Sequence, residues 1–478
     1  MTYSLDFLTT LFPDAEKENI VRAIKLLTAH GGRAYLVGGV VRDILLGTSL
    51  KDVDIEVHHL SMDELADILS TIGHLNFVGK SFGVLKWEHS VVDWSLPRTD
   101  YAGRKPVVTI DPTMDITRAL RRRDLTINAM AIDCTTGKLV DPFGGQEDLR
   151  LRIARSPDLR FFADDPLRFY RVMQFVGRFQ LTVEESLNNV CKTMDISEVS
   201  HERIQEEFSK LFLYSACPSL GIRWLYSLSR LTYVLPELAA TVGVEQNPRW
   251  HPEGDVFEHT MQSFDASARF EYRNTEEQLM IMSAVLFHDL GKIVASRVED
   301  GRIRATGHDE EGVPFARAAS RRITGNKKRV EAICTLVRYH MAPLSFVENN
   351  ASDKAYKRLA VKLAPLASMR MLSMVAFADR QGRNPSENVP LTIIDEDIIV
   401  FIRRAKECGV LEEPEQPLMT GKDFMGIILP GPALGRALRR AYEIQIGENV
   451  HDRALLKKRV VNEYKRGDFS SKKSDTSR

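Results

Sequence analysis

The chain has no excess charge of either sign: 65 basic residues balance 65 acidic ones over 478 positions. No global positive field therefore draws a polyanion, and any site for one must be a local patch. Cysteine is scarce and scattered. Cys134, Cys191, Cys217, Cys334 and Cys408 form no CxxC pair, which excludes a disulfide framework or a thiolate zinc site and suits a reducing cytosol. Long apolar runs are missing too. The most apolar short run, 279–287, is far too short to span a bilayer. Residues 1–10 carry Asp6 and no cationic stretch ahead of an apolar run, so no signal peptide is expected. These absences predict a cytoplasmic protein with no membrane partner. What is present, 44% hydrophobic and 27% charged residues, is ordinary for a globular chain with room for two to four domains.

Up to about residue 150 the pattern mixes helix and strand. Segments 34–37 and 53–57 read as strands, with helix-like 41–46 between them and 62–72 after. Segment 126–140 reads as a hairpin turning at Thr135-Thr136-Gly137-Lys138. From about 157 helical periodicity dominates, as in 167–179 and 203–212. The loop 243–254, with Asn247-Pro248 and His251-Pro252, marks a boundary, and 383–390 a second linker.

Two constellations carry chemistry. In the first, Gly38 and Gly39 sit between a strand and a helix, where backbone N–H groups and the helix N-terminus can approach a phosphate closely. The run Lys51-Asp52-Val53-Asp54-Ile55-Glu56 follows. Side chains on a strand alternate, so Asp52 and Asp54 point the same way. Paired carboxylates repel unless a cation lies between them, and Mg²⁺, which takes oxygen ligands and holds phosphates, suits that cage. Asp93, on an apolar strand-like run, is either a further acid or an ordinary strand residue.

Together LVGGVVRDILLG and KDVDIEV resemble the signature of the polymerase-β-type nucleotidyltransferases, in particular class II tRNA nucleotidyltransferases and bacterial poly(A) polymerases. The resemblance implies that Asp52 and Asp54 are the catalytic Mg²⁺ ligands and that Gly38, Gly39 and Arg42 contact the triphosphate. It continues through a Phe-Gly stretch at 80–84 and a basic element at 103–106. The segment 122–129, Arg-Arg-Asp-Leu-Thr-Ile-Asn-Ala, implies ribose recognition by Arg122, Arg123, Asp124 and Asn128. Leu125 stands where the family usually has Phe, and Ala119 where Asp is common.

Asp165 and Arg168, three apart at a helix start, share a face. An Asp accepts from an exocyclic amine while an Arg donates to a ring nitrogen. Cytosine and adenine present that order and uracil and guanine its reverse, so one such pair can choose C and A without a template. An intrahelical ion pair worth under about 0.5 kcal/mol has the same spacing. The resemblance favours base reading, because the family's Glu-Asp-x-x-Arg falls here, with Asp164 in the place of Glu. Arg171 joins the same nucleotide-binding set. Segment 200–208 resembles the family's neck helix.

The second constellation is the string His259, His288-Asp289, His308, His340 and Asp379. Mixed N/O ligands of this kind suit a divalent transition metal, which generates hydroxide for phosphoester hydrolysis. The string resembles the HD phosphohydrolase superfamily. The run 418–435 resembles the tail of HD-bearing tRNA nucleotidyltransferases.

The implied fold class is α+β: a polymerase-β-type head with a mixed sheet (1–150), then helical neck (151–242), HD (243–385) and tail (386–478) domains. The implied activity is CCA addition to the tRNA 3′ end from CTP and ATP, with a metal-dependent phosphohydrolase beside it. CC-only or A-only addition, poly(A) synthesis, and a mainly HD-type phosphohydrolase are the alternatives.

Overall fold

The computed structural model describes residues 14–48, 50, 53–78, 84–101, 107–385 and 389–466. Asp52, residues 80–83 and the basic element 103–106 lie outside them. The chain forms two compact units, 1–231 and 232–478.

In the first unit, helix α1 (Asp14–Ala29) leads to strand β1 (Arg33–Val37), helix α2 (Gly39–Leu46), strand β2 (Val53–His58) and helix α3 (Met62–Ser70). Strands β3 (Leu75–Val78), β4 (Val84–Trp87), β5 (Val92–Ser95), β6 (Arg98–Tyr101) and β7 (Val107–Ile110) follow. Helix α4 (Ile116–Arg121) precedes strands β8 (Ala131–Asp133) and β9 (Leu139–Val140). Among the described residues, seven strands make one sheet in the order β3-β4-β5-β2-β1-β8-β9. It is mixed: β2 runs parallel to β5 and antiparallel to β1. Alternation along β2 buries Val53, Ile55 and Val57 under α1 and α3, which leaves Asp54 and Glu56 on the other face. Ser61 and Glu64 close a capping box that starts α3.

The expected hairpin is shorter than 126–140, because Thr126–Asn128 is a 3₁₀ turn and pairing begins at Ala131. Beyond the sheet come the helices α5 (Leu167–Phe179) and α6 (His201–Tyr214), packed on each other.

The second unit is mainly helical. Helix α7 (Val256–Ser267) is followed by α8 (Thr275–Phe287), α9 (His308–Ile323), α10 (Lys327–Tyr339) and α11 (Met369–Gln381), and the chain closes on α12 (Pro432–Glu448) and α13 (Arg453–Lys465). Helix α8 packs against α7, α10 and α11. The stretch Thr275–Ala295 is long and apolar enough to cross a membrane by length and composition, yet its most apolar window is 72% buried inside this unit, as befits a core helix. One hairpin was not expected here: β10 (Arg297–Glu299) and β11 (Arg302–Arg304), turning at Asp300-Gly301 with both residues at positive φ. Asp-Gly is the turn that such a two-residue hairpin favours.

Candidate active site and metal cluster

Parallel pairing puts Asp54 in register with Asp93, and Glu56 with Ser95. All four line a cavity of about 420 Å³ in the first unit. Facing them are Arg122, Arg123, Asp124 and Asn128 from the turn after α4, Asp165 from the turn before α5, and Arg168, Arg171 and Arg203 from the helices beyond. Eight of the nucleotide-site residues expected from sequence thus meet in one space: Asp54, Arg122, Arg123, Asp124, Asn128, Asp165, Arg168 and Arg171. Acids form its floor and arginines its wall.

Gly38, Gly39 and Arg42 are not among the lining residues. Gly38 has φ +77°, and a Cβ there would collide with Nη1 of Arg123, so the glycine gives that guanidinium its resting place on the turn. Arg42 is buried. Its Nε donates to Asp43 at 2.9 Å and its Nη1 to Asn128 Oδ1 at 2.6 Å.

Asp165 lies in the turn just before α5, where it accepts from the N–H of Leu167 at 3.1 Å, with Arg203 Nη2 at 3.4 Å. Arg168 donates to the carbonyl oxygens of Phe161 at 2.5 Å and Arg122 at 2.6 Å. Asp124 accepts from Arg171 Nε at 2.6 Å, Asn128 Nδ2 at 2.9 Å and the N–H of Leu125 at 2.7 Å. Burial alone would raise its pKa, but the Arg171 charge and these hydrogen bonds outweigh it and bring it to about 2.

Glu56 was not anticipated. It lies 3.0 Å from His58 Nε2, and His58 Nδ1 lies 2.8 Å from the Met114 carbonyl oxygen. Burial works to raise its pKa, but the His58 hydrogen bond and the charge of Arg123 hold it low. Its place on the Asp54 face was readable from alternation alone.

The second unit gathers all six residues of the His/Asp string, each buried. His259 Nε2 lies 3.3 Å from His288 Nε2, 3.1 Å from Asp379 Oδ1 and 3.6 Å from Asp289 Oδ2. His308 Nε2 lies 3.1 Å from His340 Nε2 and 3.2 Å from Asp289 Oδ1. Asp289 therefore serves two ligand groups, one through each oxygen. The Nδ1 atoms of His288, His308 and His340 each face a carbonyl at 2.7 Å, those of Val285, Ala305 and Val337. A carbonyl can only accept, so each Nδ1 carries the proton and each Nε2 turns a lone pair inward. Lone pairs and carboxylates facing one another across about 3 Å repel, and a divalent cation relieves that repulsion. Burial first, then the neighbouring His308 and His288, bring the pKa of His340 down to about 3.

The sequence reading missed Glu253 and Lys292. Glu253 sits 2.7 Å from His259 Nδ1 and 2.9 Å from His251 Nδ1. It comes from an irregular loop that no periodicity marks. Lys292 Nζ donates to Asp289 Oδ2 at 2.6 Å, and its i,i+3 spacing was open to view. His251 meets the cluster through Glu253. At the HD turn, Gly291 abuts the backbone of α9, and a Cβ there would collide with the His308 carbonyl. Over the cluster opens a cavity of about 730 Å³, lined among others by Trp250, Arg302, Arg304 and Arg383.

A mixed sheet with an acidic floor, a glycine turn and an arginine wall defines a nucleotidyltransferase head. Residues 34–155 match the family model of the poly(A) polymerase head domain, and 182–241 that of the probable RNA- and SrmB-binding site of polymerase A. The multifunctional CCA protein of Halorhodospira halophila is 34% identical over 431 residues, covering 85% of this chain and 94% of that one. That of Neisseria meningitidis is 33% identical over 371 residues, covering 75% and 84%. In fold, the chain is similar to the Thermotoga maritima CCA-adding enzyme complexed with tRNA (TM-score 0.58, 18% identity, covering 97% of this chain and 99% of that one). It is also similar to the Bacillus stearothermophilus CCA-adding enzyme in complex with CTP (TM-score 0.61, 19% identity, covering 95% and 99%). The chain belongs to the class II CCA-adding enzyme and poly(A) polymerase family, whose head depends on divalent metal.

Proposed function

We propose that this chain is a template-independent nucleotidyltransferase that builds or repairs CCA at the 3′ end of tRNA from CTP and ATP. The observation that carries the reading is the single cavity in which Asp54, Arg122, Arg123, Asp165 and Arg168 converge. Asp52 and Asp54 are the Mg²⁺ ligands in this reading. The donor set suits the ion: Asp54 and Asp93 are acids in register on adjacent strands, and neighbouring strands lie about 4.8 Å apart. Bound there, the cation supplies charge neutralisation at the triphosphate and favours ionisation of the attacking hydroxyl.

The tRNA 3′-hydroxyl oxygen bonds to the α-phosphorus of the incoming nucleotide, the α–β anhydride bond breaks, and pyrophosphate leaves. Arg122 and Arg123 face the phosphates and oppose the charge that develops on the leaving group. Gly38 acts by letting Arg123 lie close to the turn and Gly39 by leaving room for Arg42, and Asp124 and Asn128 hold the ribose end. Asp165 and Arg168 present one acceptor and one donor to the base edge, the order that C and A complement.

In the same reading the His/Asp cluster is a phosphohydrolase centre for a divalent transition metal, with Asp289 shared between its two ligand groups. The head, neck, HD and tail occupy 1–150, 151–242, 243–385 and 386–478, and the protein works in the cytoplasm.

The test is addition to tRNAs lacking their last one, two or three nucleotides, with CTP and ATP supplied separately and together. CCA synthesis requires C on the two shorter substrates and A on the longest. Long A-only products, or addition that survives combined Asp52→Ala and Asp54→Ala, would overturn the reading.

A further inference from the structure

The geometry points to Glu253 as a positioning residue of the His/Asp cluster: we propose that its carboxylate fixes His259 as a metal ligand and supplies negative charge that this half of the cluster otherwise lacks. The inference rests on the reading of the cluster as a divalent-metal centre. Glu253 lies in the loop ahead of α7, and its side chain is wholly buried. One oxygen, Oε1, serves two rings, at 2.7 Å from His259 Nδ1 and 2.9 Å from His251 Nδ1. The other, Oε2, is buried with no hydrogen-bond partner among the described residues.

His288, His308 and His340 each rest Nδ1 on the carbonyl three residues earlier. His259 differs. It sits inside α7, and its Nδ1 meets Glu253 Oε1 and, at 3.1 Å, the Gly382 carbonyl. A carboxylate and a carbonyl both accept, so Nδ1 carries the proton and Nε2 keeps its lone pair for the cluster. A carboxylate behind a ligating imidazole raises the basicity of the far nitrogen, and more strongly than a neutral carbonyl does, because the hydrogen bond is charge-assisted. An ion held instead by His251, Glu253 and His259, whose ligand atoms lie within 4.8 Å of one another, would displace the proton that both acceptors hold.

The charges around His259 give the carboxylate a second role. Asp289 Oδ2 and Asp379 Oδ1 face His259 Nε2 at 3.6 and 3.1 Å. Each of these oxygens is already bound to a cation: Lys292 Nζ lies 2.6 Å from the first and Arg383 Nη2 2.8 Å from the second. Two carboxylates and two cations cancel, which leaves this half little net attraction for a dication. Glu253 restores one negative charge behind His259, in a buried site where screening by salt is weak.

The experiment strips metal from the full chain and titrates Co²⁺ into wild type, Glu253→Gln, Arg383→Gln and the double variant. Equilibrium dialysis with metal analysis reads the affinity of each bound ion, and visible absorption of Co²⁺ reads its ligand field. Glu253→Gln keeps the shape and a hydrogen-bond acceptor and removes the charge. It is expected to weaken one ion by about ten- to a hundredfold and to alter the absorption of that ion alone. Arg383→Gln removes an opposing cation, so it should tighten the same ion and, in the double variant, bring its affinity back to within about threefold of wild type. A damaged fold is not mended by a second substitution, so that recovery separates charge from structure. Unchanged affinity in Glu253→Gln, an equal loss for ions at both ligand groups, or a double variant no better than the single one would overturn the proposal. So would the loss of a whole ion at saturation, the mark of Glu253 as a ligand in its own right. Should Glu253→Gln not fold, Arg383→Gln alone decides: tighter binding supports the charge argument, and unchanged or weaker binding defeats it. If wild type binds no Co²⁺, the metal-centre reading fails instead, so the two failures are told apart.

Discussion

Asp124 joins three partners in one buried carboxyl, and its protonation is coupled to folding. In the native state its pKa is about 2 against an ordinary 3.8, because the Arg171 charge and the hydrogen bonds outweigh burial. A depressed carboxylate adds stability that is complete above the unfolded pKa and is lost as pH falls through the folded one. The contribution is on the order of 2 kcal/mol, present above about pH 4 and gone near pH 2. Urea denaturation of wild type and Asp124→Asn checks this: the stability gap between them should narrow across that window and be flat from pH 5 to 7. Gly38 makes the second residue-scale case. Gly38→Ala forces an L-residue to φ +77° and drives the new methyl into Arg123. A loss of about 1–2 kcal/mol, with a raised KM for both nucleotides, is the expected result in denaturation and steady-state assays.

At the scale of elements, the proposed choice of base falls to α5. Arg168 reaches the carbonyls of Phe161 and Arg122 with separate nitrogens, a fork that lysine cannot supply. Arg168→Lys should therefore raise misincorporation of UTP and GTP by about tenfold or more, read by single-turnover addition; unchanged preference would sink its base-reading role. Much of this element could be read from its apolar spacing, and the strands at 34–37 and 53–57 from their alternation. What escaped was set by tertiary contact. Arg42 keeps its expected place just past the two glycines, but its contacts with Phe179 and Asn128 arise from tertiary folding alone. Glu253 sits in a loop without period, and its proximity to His259 arises from chain folding alone. The Asp300-Gly301 hairpin was legible, but its strands of three residues each are too short to stand out among helices.

On the scale of the whole molecule, two polar centres occupy two separate units, one rich in arginine and acids, the other in histidine and acids. Their ligand chemistry differs, so their losses should separate. His288→Ala removes an inward-facing lone pair from the second cluster and should abolish stoichiometric binding of added Ni²⁺ or Co²⁺, measured by metal analysis after gel filtration. Nucleotide addition should stay within about twofold of wild type, as expected for sites with no shared partners; simultaneous loss of both in a folded variant would contradict the separation.

Gly291 sets how near the two ligand groups of that cluster come. With hydrogen as its side chain, the HD turn rests directly on the start of α9, which bears His308. A single methyl group would act as a wedge, parting the pair His259–His288 from the pair His308–His340 while leaving every ligand in the chain. The gauge of this cluster is thus kept by a missing carbon, and a substitution that changes no ligand could still silence it.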